Sequence, residues 1–276
     1  MKAKSLFITL LCLIAVFNTS AQTATSFEVE VYSEKMDRNI KNIIILPAGY
    51  NASDTVRYPV LYLLHGYGGN HTTWSQHTKK TLADEASKYK MIVVCPHGDN
   101  SWYWDSPANP KSQFETYVSK ELTAYVDNAY HTVASPKGRA ITGFSMGGHG
   151  GLWLGINHPD VFGACGSLSG GVDIRPFPNN WDMKNELGNY DENKEVWDNH
   201  TVMTQLDKIK PNTLSIIIDC GTEDFFYNVN IKLHEQMLEK RIQHDFIIRP
   251  GVHDHEYWNS AIDYQILFFS KFFDKK

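Results

Sequence analysis

"ITGFSMGGHGG", Ile141–Gly151, is the stretch on which the fold turns. Five glycines surround one serine, directly after a run of β-formers. A loose loop and a strand-to-helix elbow would both use glycine in this way. An elbow holds Ser145 strained and exposed as a nucleophile, and it needs Gly143 and Gly147 where side chains would clash with a neighbouring strand or helix. It also sets the Met146 N–H where it can donate to a developing oxyanion. The G-x-S-x-G pattern fixes only three letters, so partners elsewhere in the chain must decide.

Working outward, apolar strands alternate with helical segments. "RAITG" reads as the strand before the elbow and "MGGHGGLWLGINHP" as the helix after it, ended by Pro159. Upstream, "YPVLYLLHG" and "MIVVCPHG" are short continuous apolar runs, the pattern of strands covered on both faces. "FEVEVY" alternates apolar and polar residues like a half-buried antiparallel edge, with "NIIILPAGY" as its partner. In "FETYVSKELTAYVDNAY", Phe114, Val118, Leu122 and Val126 recur every four residues, as in a helix. Downstream, "FGACGSLSGG", "LSIIIDCGTEDF" and "DFIIRPG" supply three more strand-to-loop passages. "VNIKLHEQMLEKR" and "YWNSAIDYQILFFSKFF" read as helices. This rhythm predicts an α/β fold: a mostly parallel central sheet with helices on both faces and an antiparallel N-terminal edge. Gly171 to His200 breaks the rhythm with Pro, Asn and Trp. At roughly thirty residues it exceeds ordinary connections, so it is a candidate lid or substrate-facing insertion.

The chain's start, "MKAKSLFITLLCLIAVFNTSAQ", reads as an export signal. Lys2 and Lys4 precede an apolar run from Leu6 to Phe17, and Thr19-Ser20-Ala21 offers a cleavage site before Gln22. The run is shorter than the roughly 20 apolar residues that span a bilayer. The expected organisation is a signal peptide at 1–21 and one domain at 22–276, secreted or periplasmic. A net charge of −5 without a long basic run argues against nucleic acid or an anionic membrane as partner. Cys95, Cys165 and Cys220 fit neither a disulfide framework nor a CxxC metal pair and read as buried free thiols.

The serine's partners can be sought in order. "LLHGYGGN" brings a glycine-bearing loop after an earlier strand, where the Tyr67 N–H would be the second oxyanion donor. His65, in the same loop, reads as a structural hydrogen-bonding residue. The acid and then the base should follow the serine. "IIIDCGTEDFF" offers Asp219, Glu223 and Asp224, of which the last two fall in the loop beyond the strand; "RPGVHDHEYW" offers His253 and His255. A His-x-His pair can also ligate metal, but no third His or Cys stands nearby at ligand spacing.

Together "GFSMGGHGGLWLGINHPDVFGACGSLSGG", "LLHGYGGN", "CGTEDF" and "GVHDHEYW" resemble the esterase D-like branch of the α/β-hydrolases. That branch includes S-formylglutathione hydrolases, tributyrin-type, feruloyl and acetylxylan esterases, and mycolyltransferases. The resemblance covers nearly the whole mature chain and implies the α/β-hydrolase fold. It implies Asp224 as acid and His253 as base, although Val252 and His255 stand where relatives often carry Gly and Trp. It also implies that "NSWYWDSP" approaches the bound ester.

The expected activity is that of a serine carboxylesterase with Ser145, His253 and Asp224, needing neither metal nor cofactor. An exported chain would not meet cytosolic S-formylglutathione, so the expected substrate is an acylated carbohydrate carrying acetyl, short-chain or feruloyl groups. Trp102 and Tyr103 are expected to line its site, and Trp181 and Trp197 in the insertion are further aromatic candidates. Two rivals share these residues. One is an acyltransferase with the same triad; the other is a non-catalytic glycan-binding module on a hydrolase fold.

Overall fold

In the computed structural model, residues 23–53 and 55–275 are described; the export segment read at 1–21 lies outside them. Eight strands form one sheet in the order β1-β2-β4-β3-β5-β6-β7-β8. The strands are β1 (Thr25–Ser33), β2 (Arg38–Leu46), β3 (Val60–Leu64), β4 (Ile92–Pro96), β5 (Arg139–Gly143), β6 (Ala164–Leu168), β7 (Ser215–Gly221) and β8 (Asp245–Arg249). β1 and β2 are antiparallel to each other, and β2 is antiparallel to β4. From β4 through β8 every pairing is parallel. This is the α/β-hydrolase fold, with the antiparallel N-terminal edge that "FEVEVY" announces.

The helices are α1 (Leu82–Lys88), α2 (Phe114–Thr116), α3 (Thr123–Ala129), α4 (Met146–Asn157), α5 (Met183–Leu187), α6 (Lys194–Asn199), α7 (Tyr227–Glu239) and α8 (His255–Phe273). Between α2 and α3 the segment Tyr117–Leu122 winds more widely, as a π-helix. The 114–129 stretch is therefore helical throughout, as its four-residue spacing predicts.

Period-two alternation divides the core into two layers. In β3, Val60, Tyr62 and Leu64 face a cluster containing Val118, Leu122, Leu152 and Leu233. Leu61 and Leu63 face the opposite cluster, with Leu82, Ala86, Ile262 and Phe269. α3, α4 and α7 thus cover one face while α1 and α8 cover the other. Both faces being covered explains why β3 to β6 are buried along their whole length. Cys95, Cys165 and Cys220 are free and buried within this sheet, where loss of solvation pushes their thiols well above the ordinary range.

The topology also decides where loops meet. β3 lies between β4 and β5, with Leu64 level with Gly143. The chain winds outward from this point in both directions, and a crevice opens at the carboxyl ends of such strands. At the far side Gly221 of β7 is level with Arg249 of β8. The loops after β3, β5, β7 and β8 therefore emerge along one edge of the sheet.

Candidate active site

Ser145 sits between β5 and α4 with φ +57° and ψ −119°. A side chain rarely adopts this conformation, and it persists only where surrounding structure enforces it. Here the enforcement is backbone proximity. A Cβ on Gly143 would lie 2.4 Å from the Leu64 carbonyl oxygen, and one on Gly147 would lie 2.3 Å from the same atom. The Ser145 N–H donates to the Leu168 carbonyl at 2.9 Å, fixing the turn to β6.

The Ser145 hydroxyl lies 2.9 Å from His253 Nε2, and His253 Nδ1 lies 2.7 Å from Asp224 Oδ2. A carboxylate only accepts, so Nδ1 carries the proton, leaving Nε2 of the neutral ring to accept from Ser145. The other Asp224 oxygen accepts the Phe226 N–H at 2.8 Å, which locks the buried carboxylate from behind. Asp224 follows β7 and His253 follows β8, so the pairing of these two strands creates their contact.

The loops carrying acid and base are also tied together. The Glu223 N–H donates to the Gly251 carbonyl at 3.0 Å, and the Gly251 N–H donates to Glu223 Oε2 at 2.7 Å. Asp254 caps α8 by accepting the Tyr257 N–H at 2.8 Å. The remaining acid candidate, Asp219, is buried under the site and held by Arg249 and the Tyr257 hydroxyl; burial raises its carboxyl pKa. Thus of the three acids in "DCGTED", Asp224 meets a histidine, Glu223 braces the loop, and Asp219 braces the sheet edge. His255 points elsewhere: its Nδ1 lies 2.8 Å from the Thr78 hydroxyl, and burial followed by the nearby His77 lowers its pKa.

The loop after β3 runs against the serine. A Cβ on Gly66 would come within 3.3 Å of Ser145 Cβ. His65 is wholly buried, donating from Nδ1 to the Gly66 carbonyl at 2.8 Å and accepting the Gly98 N–H on Nε2 at 2.8 Å. Burial depresses its pKa to about 4, which keeps it neutral and preserves this donor–acceptor pairing. Among the described residues, neither the Tyr67 nor the Met146 N–H donates to a protein acceptor. Both are thus available to an oxygen placed beside Ser145.

A cleft of about 510 Å³ opens above these groups. Gly66–Asn70, Thr73 and His77 line it together with Phe144, Ser145, Trp181, Phe225, His253, His255 and Trp258. Trp102 and Tyr103 are absent from this wall, contrary to the sequence expectation. They are 1% and 0% exposed. Consecutive left-handed residues, φ +56° and +61°, turn the loop back on itself, and the Ser101 hydroxyl accepts the Tyr103 N–H at 3.0 Å. Tyr103 supports the site from beneath by donating its hydroxyl to the His65 carbonyl at 3.1 Å. Trp102 stacks on Trp104, centroids 5.7 Å apart, and packs against His149. The loop does reach the expected edge; only its side chains point inward.

The insertion splits its residues between two roles. Ile174, Met183, Leu187 and Trp197 are buried and dock it onto the body, whereas Trp181 reaches the cleft. Phe225 and Trp258 are wall residues that sequence reasoning missed. For Phe225 the available signal was its place directly after the acid, in "EDFF".

Comparison with known proteins extends the geometry. A family profile described as "Putative esterase" matches residues 33–269. An acetyl esterase from Caldicellulosiruptor saccharolyticus is 25% identical, the match covering 85% of this chain and 94% of that one. A diacylglycerol acyltransferase/mycolyltransferase, Ag85B of Mycobacterium leprae, is 27% identical across 88% of this chain and 85% of its own. A solved ferulic acid esterase has the same fold, with TM-score 0.79 at 24% identity over 91% of this chain and 99% of that one.

Proposed function

The chain belongs to the esterase family that this profile describes, and from that premise we propose that it is an exported serine carboxylic-ester hydrolase acting on acylated carbohydrate. The observation that carries the reading is the unbroken hydrogen-bonded series Ser145–His253–Asp224 at a strained elbow. In this reaction the Ser145 oxygen attacks the ester carbonyl carbon while its proton passes to His253 Nε2. Asp224 accepts from Nδ1 and stabilises the imidazolium. The Tyr67 and Met146 N–H groups hold the carbonyl oxygen as it becomes an anion. Collapse of the tetrahedral intermediate breaks the carbon–oxygen bond to the alcohol, which leaves with the proton from Nε2. Water then attacks the acyl-serine with His253 again as base, releasing the acid and restoring Ser145.

Export rests on the charged-then-apolar start at 1–21, and carbohydrate as the alcohol rests on that export. The near full-length likeness to an acetyl esterase supports a short acyl group. Likeness over most of its length to a chain named as an acyltransferase supports a second reading, in which a sugar hydroxyl replaces water in the last step. A fluorophosphonate probe should label wild-type protein and not folded Ser145→Ala. Absence of wild-type labelling would remove the enzyme reading and leave the glycan-binding one. Product analysis with acetylated xylooligosaccharide and an excess of free sugar then separates hydrolysis, which frees acetate, from transfer, which makes new sugar ester.

A further inference from the structure

The wall of the cleft beside His253 is aromatic, and several independent features hold it there. Trp181 and Phe225 stack with centroids 5.7 Å apart and planes 21° apart. Phe226 at 5.1 Å, Phe177 at 5.5 Å and Trp102 at 6.0 Å also pack around Trp181 and brace its indole. Phe225 in turn packs on the His253 ring at 4.1 Å. Yet Phe225 is 50% exposed, the one phenylalanine or tryptophan among the described residues to be an exposed large apolar group. A single exposed ring would be ordinary, but Phe225 lines the same cleft as Trp181, Trp258 and Ser145, and a contiguous apolar patch of this kind marks a ligand-binding surface.

The backbone at this point is strained. Trp181 and Asp182 are consecutive left-handed residues, φ +49° and +53°, neither of them glycine. Such a pair needs an external constraint. Asp182 supplies one, because its Oδ2 accepts the Tyr67 hydroxyl at 2.6 Å. Tyr67 belongs to the loop after β3 that runs against Ser145, so this bond ties the insertion to that loop.

We infer that Trp181 and Phe225 form a ring-stacking subsite beside Ser145, taking the flat face of a six-membered ring in the substrate, and that Asp182 positions it through Tyr67. The inference rests on the proposed ester hydrolysis and names what that site selects. An aromatic face suits either the aryl ring of a phenolic acyl group or the apolar face of a pyranose. The two sources separate when the ester's halves vary independently.

The test measures kcat/KM on two substrate pairs. One pair compares acetyl with feruloyl on methanol; the other compares acetyl on methanol with acetyl on methyl xyloside. In wild type, one or both ring-bearing partners should be preferred. Trp181→Ala and Phe225→Ala should each lower that preference by about tenfold, the scale on which one apolar contact discriminates. Loss in the acyl pair assigns the aryl acyl group, and loss in the alcohol pair assigns the sugar. Asp182→Ala should raise KM for the ring-bearing ester more than it lowers kcat. Preference ratios within twofold of wild type in both folded Trp181→Ala and Phe225→Ala would overturn the subsite. Because Trp181 also packs against other rings, half-exposed Phe225 keeps the test decisive if Trp181→Ala fails to fold. Binding of ferulate and methyl xyloside to Ser145→Ala, followed by tryptophan fluorescence, is a readout without turnover. Ring binding that disappears in Ser145→Ala/Phe225→Ala supports the subsite even if the wild type hydrolyses neither ester, and no binding of either ring overturns it.

Discussion

The elbow at Gly143–Gly151 and the insertion at 171–200 both hold residues in left-handed backbone at the same cleft, but they enforce it differently. At the elbow the constraint is local: Gly143 and Gly147 lie so close to the Leu64 carbonyl that no side chain fits. In the insertion the constraint comes from across the fold, through the Tyr67–Asp182 bond and the rings packed around Trp181. Backbone crowding leaves a glycine signature in sequence. Long-range packing leaves only a tryptophan and an aspartate, which occur anywhere. The two regions are joined at His149, one helical turn after Ser145, whose Nδ1 lies 3.2 Å from the carbonyl of Gly171 at the start of the insertion.

The largest test of this contrast is at the serine itself. Ser145→Ala should lower kcat by about a millionfold, as removal of a triad nucleophile does elsewhere, while the melting temperature stays near wild type or rises as elbow strain eases. Residual turnover above a small fraction in folded protein would break the assignment of chemistry to the elbow.

On the insertion side the effect should be one of stability. Trp102 is buried beneath the start of the insertion, where a Cβ on Gly171 would come within 2.7 Å of its ring. Trp102→Ala should therefore cost about 3–5 kcal/mol in denaturant unfolding, the range for a truncated core aromatic. Loss of activity should accompany this loss of stability, because Trp102 reaches the cleft only through its packing on Trp181. Selective loss toward ring-bearing esters without loss of stability would return Trp102 to the substrate wall.

The link between the regions should respond to acid. His149 is wholly buried and its pKa is depressed to about 3, chiefly by loss of solvation; His65 lies at about 4 for the same reason. Their ordinary value is near 6.5, so below that pH the unfolded chain binds protons that the folded chain refuses. Stability is then complete above pH 6.5 and falls as pH drops toward 4, at up to roughly 1.4 kcal/mol per pH unit for each ring. Asp219 and Glu186, whose carboxyls burial pushes up, act in the opposite sense. Urea midpoints at pH 7 and pH 5 measure the balance. His149→Phe should flatten the slope by one group's worth, and an unchanged slope would break the link.

The smallest single effect is expected at His255, which shares a loop with His253. His253→Ala should abolish turnover, whereas His255→Ala should lower it by about tenfold or less, because its ring bonds Thr78 and touches neither Ser145 nor Asp224. Equal and complete loss from both folded variants would reopen the site's description.

Much of the molecule could be read in the chain because its cause is local. The runs "VLYLL" and "IVVCP" carry no polar residue to face water, so they must lie between two layers. The elbow glycines record a clash that any side chain would suffer. The antiparallel edge showed in the alternation of "FEVEVY". Resemblance to a family added the choice of Asp224 over Glu223 and of His253 over His255, which spacing left open. Tertiary structure decided the rest. Strand order brings β3 beside β5, setting the Gly66–Tyr67 loop against Ser145, although Gly66 lies 79 positions before Ser145 in the chain. The pairing of β7 with β8 joins Asp224 to His253. Whether an aromatic faces the cleft or the core depends on backbone dihedrals and on neighbours remote in sequence. Trp102 and Tyr103 turned inward while Trp181 and Phe225 line the cleft, and a side chain's hydrophobicity is the same in either place.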